Sequence, residues 1–270
     1  MRGTSQASLD AVEGRWEPVL EAAGEQATVL GQELYALVDA LDASGSLRRV
    51  LADPSASGEA KATLAARLLA AADPRTVAVA QDLARSRWSA DADLADAAQR
   101  LGTSAVLAAA QSAGTLEQVE QELFAVIGAL SGQRDLRRAL FDPAVPGQAR
   151  ADLAERVLGS HVSATTLLLA RRAAAAPRGR RYVAWLGDVV DLIAERRHHR
   201  VATVTVAAPL SDAQRTRLAG LLATALGRQV ELDVVVDPRV IGGLRVQSGP
   251  DVIDSTVLAR LADARRQLAG

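Results

Sequence analysis

Few of the residue types that carry catalysis occur in this chain, and their spacing does not group them. Among 270 residues there is no cysteine, and Met1 is the only methionine, which excludes disulfides, thiolate nucleophiles and thiolate metal sites. His198 and His199 are adjacent, so their rings point to different sides of a helix, whereas two metal ligands on one helix face need a spacing of three or four residues. His161 is expected in a loop between helices. These histidines are therefore predicted to be solvated.

The sequence also lacks the loops that bind phosphates. No G-x-x-x-x-G-K-[ST] pattern occurs, and Lys61, the only lysine, lies in a repeated helix that has Arg150 in its other copy. A dinucleotide-binding fingerprint needs a third glycine and a following helix, and Gly242 and Gly243 have neither. These two glycines instead predict a turn. The carboxylates are scattered over polar faces, so the sequence singles out no pair that could act as general acid and general base. The chain is predicted to have no catalytic residues, no cofactor and no metal, and not to be an enzyme.

Length and composition are those of an ordinary soluble protein with two or three small domains. Hydrophobic residues make up 49% of the chain, and the net charge is -1, so bulk charge gives no affinity for polyanions. No run of 18 apolar residues and no leader of basic, apolar and small residues is present. The chain is predicted neither to span a membrane nor to be exported, and to stay in the cytoplasm.

A segment of 38 residues occurs twice, at residues 32–69 and 121–158. Nineteen positions are identical without a gap, and only five of these are alanine. Asp53-Pro54 and Asp142-Pro143 take equal places in the two copies, and each proline is predicted to stop a helix. The sequence therefore predicts two similar helical modules with an offset of 89 residues.

The C-terminal part predicts a strand, a helix, a strand, a turn and a third strand. Residues 201–207 and 230–236 alternate in the way of half-buried strands, with one face formed by Ala202, Val204, Val206, Val230, Leu232, Val234 and Val236. Ser211 and Gln214 form a capping box that begins the helix. The apolar residues of this helix recur at helical spacing and are Leu218, Leu221, Leu222, Ala225 and Leu226. One helix is thus expected to cover one face of a sheet.

The segment after the second strand has the pattern D-P-x-x-I-G-G-L-R-V and is followed by V-I-D. It resembles the C-terminal signature of the delta subunit of bacterial rotary ATP synthases, whose mitochondrial counterpart is the oligomycin-sensitivity-conferring protein. The signature residues are Asp237, Pro238, Ile241, Gly242, Gly243 and Asp254. The resemblance covers roughly residues 101–270. Two positions depart from the family pattern, since Ser255 replaces a usual glycine and Gly249-Pro250 replaces a G-D turn.

The resemblance implies a mainly α fold with a small α/β C-terminal domain. Duplicated helical-bundle modules are expected to precede a mixed sheet of three or four strands covered by helices. The expected domains are an extra helical module at residues 1–100, the family-type helical bundle at residues 101–200 and the α/β domain at residues 201–270. Delta subunits of the usual length lack the extra module, and longer forms with it are associated with actinobacteria.

The function implied by the resemblance is that of a non-catalytic stator subunit. Such a subunit links the N-terminus of an alpha subunit, at the top of the catalytic head, to the b subunits of the peripheral stalk. It is required to couple proton transport to ATP synthesis. The resemblance places it on the cytoplasmic face of the plasma membrane as a peripheral component that neither inserts into the membrane nor binds nucleic acid.

Two partner-binding surfaces follow from the family alignment. The groove for the alpha subunit is expected between two helices, which hold Val106, Leu107 and Ala110 on one side and Leu167, Leu168 and Ala170 on the other. The last helix, residues 256–268, is expected to contact the b subunits together with the sheet, through Val257, Arg260, Leu261, Ala264 and Leu268. The alternative for both surfaces is that these side chains only fill the core of their own domain.

An arginine-rich segment keeps a second function open. Residues 171–200 hold eight arginines against three acidic residues, which is compatible with a nucleic-acid-binding adaptor. The competing interpretation is that these arginines complement helix dipoles at C-termini, namely Arg171, Arg172, Arg196 and Arg197. Tyr182 and Trp185, the aromatic residues of this segment, fall on the predicted buried stripe and not on a stacking surface. A small-ligand enzyme or regulatory domain built on the C-terminal sheet is the third alternative.

Overall fold

The structure, a computed structural model, describes residues 3–226, 231–237, 240, 242–248 and 251–254. The chain forms two compact units, Met1–Leu192 and Ile193–Gly270. The first unit is helical, and the second contains the sheet. The predicted fold class, mainly α with a small mixed α/β part at the C-terminus, is confirmed. The predicted boundary near residue 100 falls within a single long helix, and the division of residues 1–200 into two domains stays a prediction.

The helical part repeats itself along the chain. Its helices are α1 (Thr4–Ala23), α2 (Ala27–Ala43), α3 (Gly45–Ala52), α4 (Gly58–Leu68), α5 (Pro74–Arg85), α6 (Asp91–Ser112), α7 (Leu116–Ser131), α8 (Arg134–Ala139), α9 (Gly147–Leu158), α10 (Ala164–Ala175) and α11 (Tyr182–Arg200). A shift of 89 residues brings α1 to α6 onto α6 to α11, and every helix bound agrees to within two residues. The matching bounds confirm the predicted duplication at the level of the helices. They also show that α6 belongs to both arrays, as the last helix of the first and the first helix of the second.

Short polar side chains fix where these helices begin. The hydroxyl of Ser57 accepts a hydrogen bond from the amide of Ala60, and that of Ser163 accepts one from Thr166, so each satisfies a free amide at a helix start. Asp73 caps α5 in the same way, with Pro74 at the first helical position. The hydrogen bonds that Arg75 donates to Asp73 lower the pKa of that carboxyl to about 2.

One glutamate in each array ties its second helix to the start of its fifth helix. Glu33 accepts hydrogen bonds from the amide of Asp73 and the hydroxyl of Thr76, at 2.9 and 2.5 Å. Glu122, at the equivalent position, accepts from the amide and the hydroxyl of Ser163, at 2.9 and 2.7 Å. Burial raises the pKa of Glu122, but the hydrogen bonds outweigh this effect, and the pKa lies below its ordinary value. The two arrays therefore repeat a side-chain contact as well as their helix bounds.

Helix α6 is buried on all sides over much of its length. Every position of residues 101–110 is buried, as expected of a helix that packs against neighbours around its whole circumference. Its closest neighbour is α2, because Gly31 and Gly102 let the two backbones approach. A Cβ added at Gly31 would lie 2.6 Å from the carbonyl oxygen of Gly102. The helix shared by the two arrays thus runs through the interior of the helical unit.

The C-terminal unit contains a four-stranded mixed sheet in the order β2-β1-β3-β4. Its elements are β1 (Val201–Val206), α12 (Asp212–Leu226), β2 (Glu231–Val236), β3 (Leu244–Ser248) and β4 (Asp251–Asp254). β1 and β2 are parallel, while β3 is antiparallel to both β1 and β4. The core of this unit is small and consists of Val204, Val206, Leu222 and Val246. Leu218 of α12 packs against that core.

The local signals of this unit are confirmed where the structure describes them. The amide of Ser211 donates to Gln214 Oε1 at 2.8 Å, and the amide of Gln214 donates to Ser211 Oγ at 3.3 Å, which is the predicted capping box. Gly242 and Gly243 have φ angles of 124° and 81°, which only glycine adopts without strain. The predicted turn before the third strand therefore exists for the expected reason.

Two apolar positions of this unit are more exposed than the pattern predicts. Leu221 belongs to the predicted apolar stripe of α12 but is 60% exposed, and Val236 belongs to the predicted apolar face of β2 but is 44% exposed. Both corrections have a physical cause. The covered stripe of α12 is narrow, and Val236 is the last residue of a strand that lies at the edge of the sheet.

Replacing Gly31 by alanine is expected to lower the free energy of unfolding by about 1–3 kcal/mol, because the new methyl group would push α2 away from α6. Denaturant unfolding followed by circular dichroism measures the change. Gly128→Ala is the matched control, since nothing lies within 4 Å of a Cβ added there. In the control, the free energy of unfolding is expected to rise by up to about 1 kcal/mol, because alanine has a higher helix propensity than glycine. An equal loss in both variants would show that the close approach of α2 and α6 does not limit stability.

Candidate functional site

A groove of the helical unit lies where the two arrays meet. It has a volume of about 540 Å³ and runs between α2 on one side and α9 and α10 on the other. We call it the junction groove. The residues that line it are Gln32, Tyr35, Ala36, Asp39, Gln148, Ala151, Ala164, Leu167, Leu168, Arg171, Arg172 and Ala175.

The lining of the junction groove is mostly apolar and small. Leu167 and Leu168 form one wall and are partly exposed, whereas the alanines leave space between the helices. Asp39 on the opposite wall keeps 58% of its side chain exposed. A long apolar channel with a carboxylate at its edge suits a partner helix that offers aliphatic side chains at helical spacing.

Arg172 holds the two arrays together at the floor of this groove. Its guanidinium donates to Gln99 Oε1 of α6 at 3.0 and 2.8 Å, and to Asp39 Oδ1 of α2 at 2.7 Å. It also lies 4.6 Å from the centre of the Tyr35 ring, within the range of a cation–π contact. Only 7% of the Arg172 side chain is exposed. One planar donor group from α10 thus connects both helices of the first array that face it.

The position of Arg172 corrects its interpretation from the sequence. Arg172 does lie in the last turn of α10, where a cation complements the helix dipole. Its hydrogen bonds, however, go across to α2 and α6 and not to the end of its own helix. Leu83 takes the equivalent position in the first array and has no hydrogen-bond donor in its side chain. Comparison of the two copies therefore could not predict this contact.

Tyr35 completes the floor of the junction groove. Its hydroxyl is 3.0 Å from the hydroxyl of Thr103 on α6. Burial raises the pKa of Tyr35 to about 12, although Thr103 and Arg172 act in the opposite direction. The ring therefore stays neutral and serves as an apolar face for Arg172.

Arg178 makes a second connection between the arrays. It donates to Asp42 of α2 and to Asp96 of α6, the latter at 3.1 Å. Burial alone would lower the pKa of Arg178, but the two carboxylates outweigh it and raise the pKa above its ordinary value. Arg178 also has a φ of 49°, which a residue other than glycine adopts at a cost. Its equivalent in the first array is Ser89, so this contact is also particular to the junction.

Arg150 joins α9 to the end of α10. It is 7% exposed and donates to the carbonyl oxygens of Ala174, Ala175, Asp142 and Val145. The last carbonyls of a helix have no partners within that helix, so a buried arginine satisfies them. Arg150 therefore stabilises the wall of the junction groove on the side of α10.

The residues predicted for the alpha-subunit groove are divided between surface and core. Leu167 and Leu168 line the junction groove. Val106, Leu107 and Ala110 of α6 are at most 3% exposed, and Ala170 is fully buried. The alpha-subunit site between α6 and α10 stays a prediction. In the structure, α2 and not α6 forms the wall opposite Leu167 and Leu168. The cause is the sharing of α6, whose other faces are covered by the first array.

The residues predicted for the b-subunit contact lie outside the described part of the chain. These are Val257, Arg260, Leu261, Ala264 and Leu268, and they stay predictions. Within the family signature, the amide of Asp237 donates to the carbonyl oxygen of Val206 at 2.9 Å, and Asp254 ends β4. Pro238 and Ile241 also fall outside the described residues.

The described surface offers little for nucleic acid or metal. Tyr182 and Trp185 are 1% and 3% exposed, so the prediction that they lie on a buried stripe is confirmed. Among the described residues, no group of three His, Asp or Glu side chains is arranged to hold a metal ion. His161 is exposed in the turn after α9, as expected. In the part of the chain that the structure covers, no helix has both the length and the apolar character needed to cross a bilayer.

A repeated array of helices with an apolar groove between them is the architecture of proteins that bind partner helices. The profile of the family described as ATP synthase delta (OSCP) subunit matches residues 102–268. A protein named ATP synthase subunit delta from Beutenbergia cavernae is 49% identical to this chain over 271 residues, and the alignment covers 100% of both sequences. A protein of the same name from Kineococcus radiotolerans is 44% identical over 273 residues, with 99% of this chain and 98% of the relative covered. The chain belongs to the ATP synthase delta (OSCP) subunit family.

Replacing Arg172 by methionine is expected to lower the free energy of unfolding by about 1–3 kcal/mol, because a buried acceptor on Gln99 loses its donors. Denaturant unfolding of the full chain measures the loss. The matched control is Arg180→Met, because Arg180 pairs with Asp188 while both side chains are about half exposed. Breaking that pair is expected to cost about 0–1 kcal/mol. Equal effects of the two substitutions would contradict a stabilising role for the junction.

Proposed function

We propose that this chain is a non-catalytic stator subunit that links the catalytic head of an ATP synthase to its peripheral stalk. Membership of the delta (OSCP) subunit family supports the assignment to that complex. The observation that carries the adaptor role is the junction groove, an apolar channel between helices with room for a partner helix. The chain keeps the head from turning with the rotor and performs no chemistry itself.

The junction groove binds the N-terminal helix of an alpha subunit. Leu167 and Leu168 follow one another on α10 and contact aliphatic side chains spaced by three or four residues on the partner. Asp39, which is largely exposed at the rim, faces the polar side of that helix and sets its orientation. The extra N-terminal array thus contributes one wall of the binding site, because Gln32, Tyr35, Ala36 and Asp39 all belong to α2.

A stator also requires stiffness, and the helical unit supplies it. The shared helix α6 is buried on all sides, so the two arrays cannot separate without exposing its apolar surface. Arg172 and Arg178 add hydrogen bonds from the second array to α2 and α6 of the first. A load applied to one array is therefore transmitted to the other through packed side chains.

The C-terminal unit binds the b subunits of the peripheral stalk. Its described core is small, and Leu221, Val235 and Val236 leave apolar surface exposed. The sequence of residues 256–268 has apolar residues at helical spacing, which predicts a further apolar stripe for this contact. The complete subunit is peripheral and reaches the cytoplasmic face of the plasma membrane through its partners.

Nucleic-acid binding is the less favoured function. The aromatic side chains that would stack on bases, Tyr182 and Trp185, are buried. Arg172 and Arg178 are committed to carboxylates and an amide oxygen inside the helical unit. Two of the eight arginines of residues 171–200 thus serve contacts within the helical unit.

Leu167→Asp is expected to weaken binding to the alpha-bearing head by about 10–100-fold, because a carboxylate replaces an apolar contact in the groove. Titration of the purified head with the full chain measures the affinity, and circular dichroism checks the fold. Val157→Asp is the matched control, since Val157 is an exposed apolar residue of α9 that does not line the groove. Head binding that is unchanged in Leu167→Asp, or equally reduced in both variants, would rule out the junction groove as the site.

Removing residues 256–270 is expected to abolish binding to the b subunits and to leave head binding intact, because the junction groove belongs to a separate compact unit. Pull-down of the truncated chain with isolated b subunits, and in parallel with the head, separates the two contacts. Normal stalk binding by the truncated chain would contradict the assignment of the last segment.

A further inference from the structure

A second, smaller groove lies between α1 and α5 of the first array. It has a volume of about 280 Å³, and we call it the α1–α5 groove. The residues that line it are Val12, Arg15, Trp16, Val19, Pro74, Arg75, Ala78, Val79 and Asp82. Its floor is buried and apolar, whereas Ala78 and Arg15 are exposed at its rim.

The two grooves use the same positions of the repeated helix. Five residues of α5 line the α1–α5 groove, and for four of them the residue 89 positions later on α10 lines the junction groove. These pairs are Arg75 and Ala164, Ala78 and Leu167, Val79 and Leu168, and Asp82 and Arg171. In the second array α2 covers the side of α6 that faces this groove. The equivalent side of α1 instead lines the α1–α5 groove, through Val12, Arg15, Trp16 and Val19. The first array therefore presents the uncovered version of the same surface.

The dimensions of the α1–α5 groove favour a helix over a small molecule. Pockets for small ligands usually enclose about 300–1,000 Å³, and this groove is smaller and lies between two helices. Its volume suits one or two aliphatic side chains of an amphipathic helix, with Val12, Trp16 and Val79 as the apolar floor.

The polar groups of this groove call for acceptors on the partner. Arg15 keeps 56% of its side chain exposed and shares the carboxylate of Asp82 with Arg85. A guanidinium group is a donor only. A partner that places carboxylates beside its aliphatic side chains offers acceptors to Arg15 at the rim of the groove.

We propose that the α1–α5 groove is a second docking site, for an amphipathic helix of another chain that carries one or two large aliphatic side chains flanked by carboxylates. The nature of the partner, a neighbouring subunit of the same assembly, rests on the proposed stator function. The groove gives the extra N-terminal array a contact of its own, in addition to the wall that it provides for the junction groove.

The absence of cysteine from the chain permits a direct test by site-specific cross-linking. Ala78→Cys places one thiol at the rim of the α1–α5 groove, and Leu167→Cys places one at the equivalent position of the junction groove. Ala70→Cys is the control, because Ala70 is exposed and lines neither groove. Each variant is labelled with a photoreactive maleimide and assembled into the complete ATP synthase. Mass spectrometry then identifies the cross-linked segments.

Ala78→Cys is expected to cross-link to a helical segment of another subunit with carboxylates within one turn of an aliphatic residue, at a yield about tenfold above the control. Adding Arg15→Glu is expected to reduce that yield about fivefold, whereas Arg15→Lys retains it. A yield at the control level, a cross-link to residues 193–270 of the same chain, or a partner segment without carboxylates would each overturn the proposal. Leu167→Cys reports on the junction groove independently, so failure of the proposed function is distinguishable from failure of the second site.

Discussion

The packing of one helix into two arrays is the constraint on which the rest of the helical unit depends. Because α6 closes the first array and opens the second, its side chains must satisfy neighbours on every face, and residues 101–110 are all buried. This requirement explains the small residues Gly31 and Gly102, which let α2 and α6 approach to backbone contact. It also explains why the second array cannot present α6 to a partner.

Buried arginines add directional contacts to the apolar packing at the junction between the arrays. Arg172 reaches α2 and α6 from α10, and Arg178 reaches the same two helices from the segment before α11. Desolvating a guanidinium is costly, and the cost is offset here because every contact is a hydrogen bond to a carboxylate or amide oxygen. Such contacts are directional, so they fix the register of one array on the other in a way that alanine-rich surfaces do not.

Duplication gives the protein two versions of one surface with different surroundings. The positions of α5 and α10 that line the two grooves are equivalent, yet their partners differ, since α2 faces α10 and α1 faces α5. The exposed charge beside each groove differs as well, with Asp39 at the junction groove and Arg15 at the α1–α5 groove. An internal repeat can thus bind different helices without a change of fold.

The sequence alone determined the helices, the repeat, the capping box at Ser211 and the glycine turn at Gly242 and Gly243, because each depends on residues close in the chain. Only the tertiary structure decided that α2 forms the opposite wall and that Arg172 holds it, since residues 39 and 172 are 133 positions apart and the first array has no equivalent arginine. A shared helix leaves no local pattern, because burial on all sides depends on what packs around it.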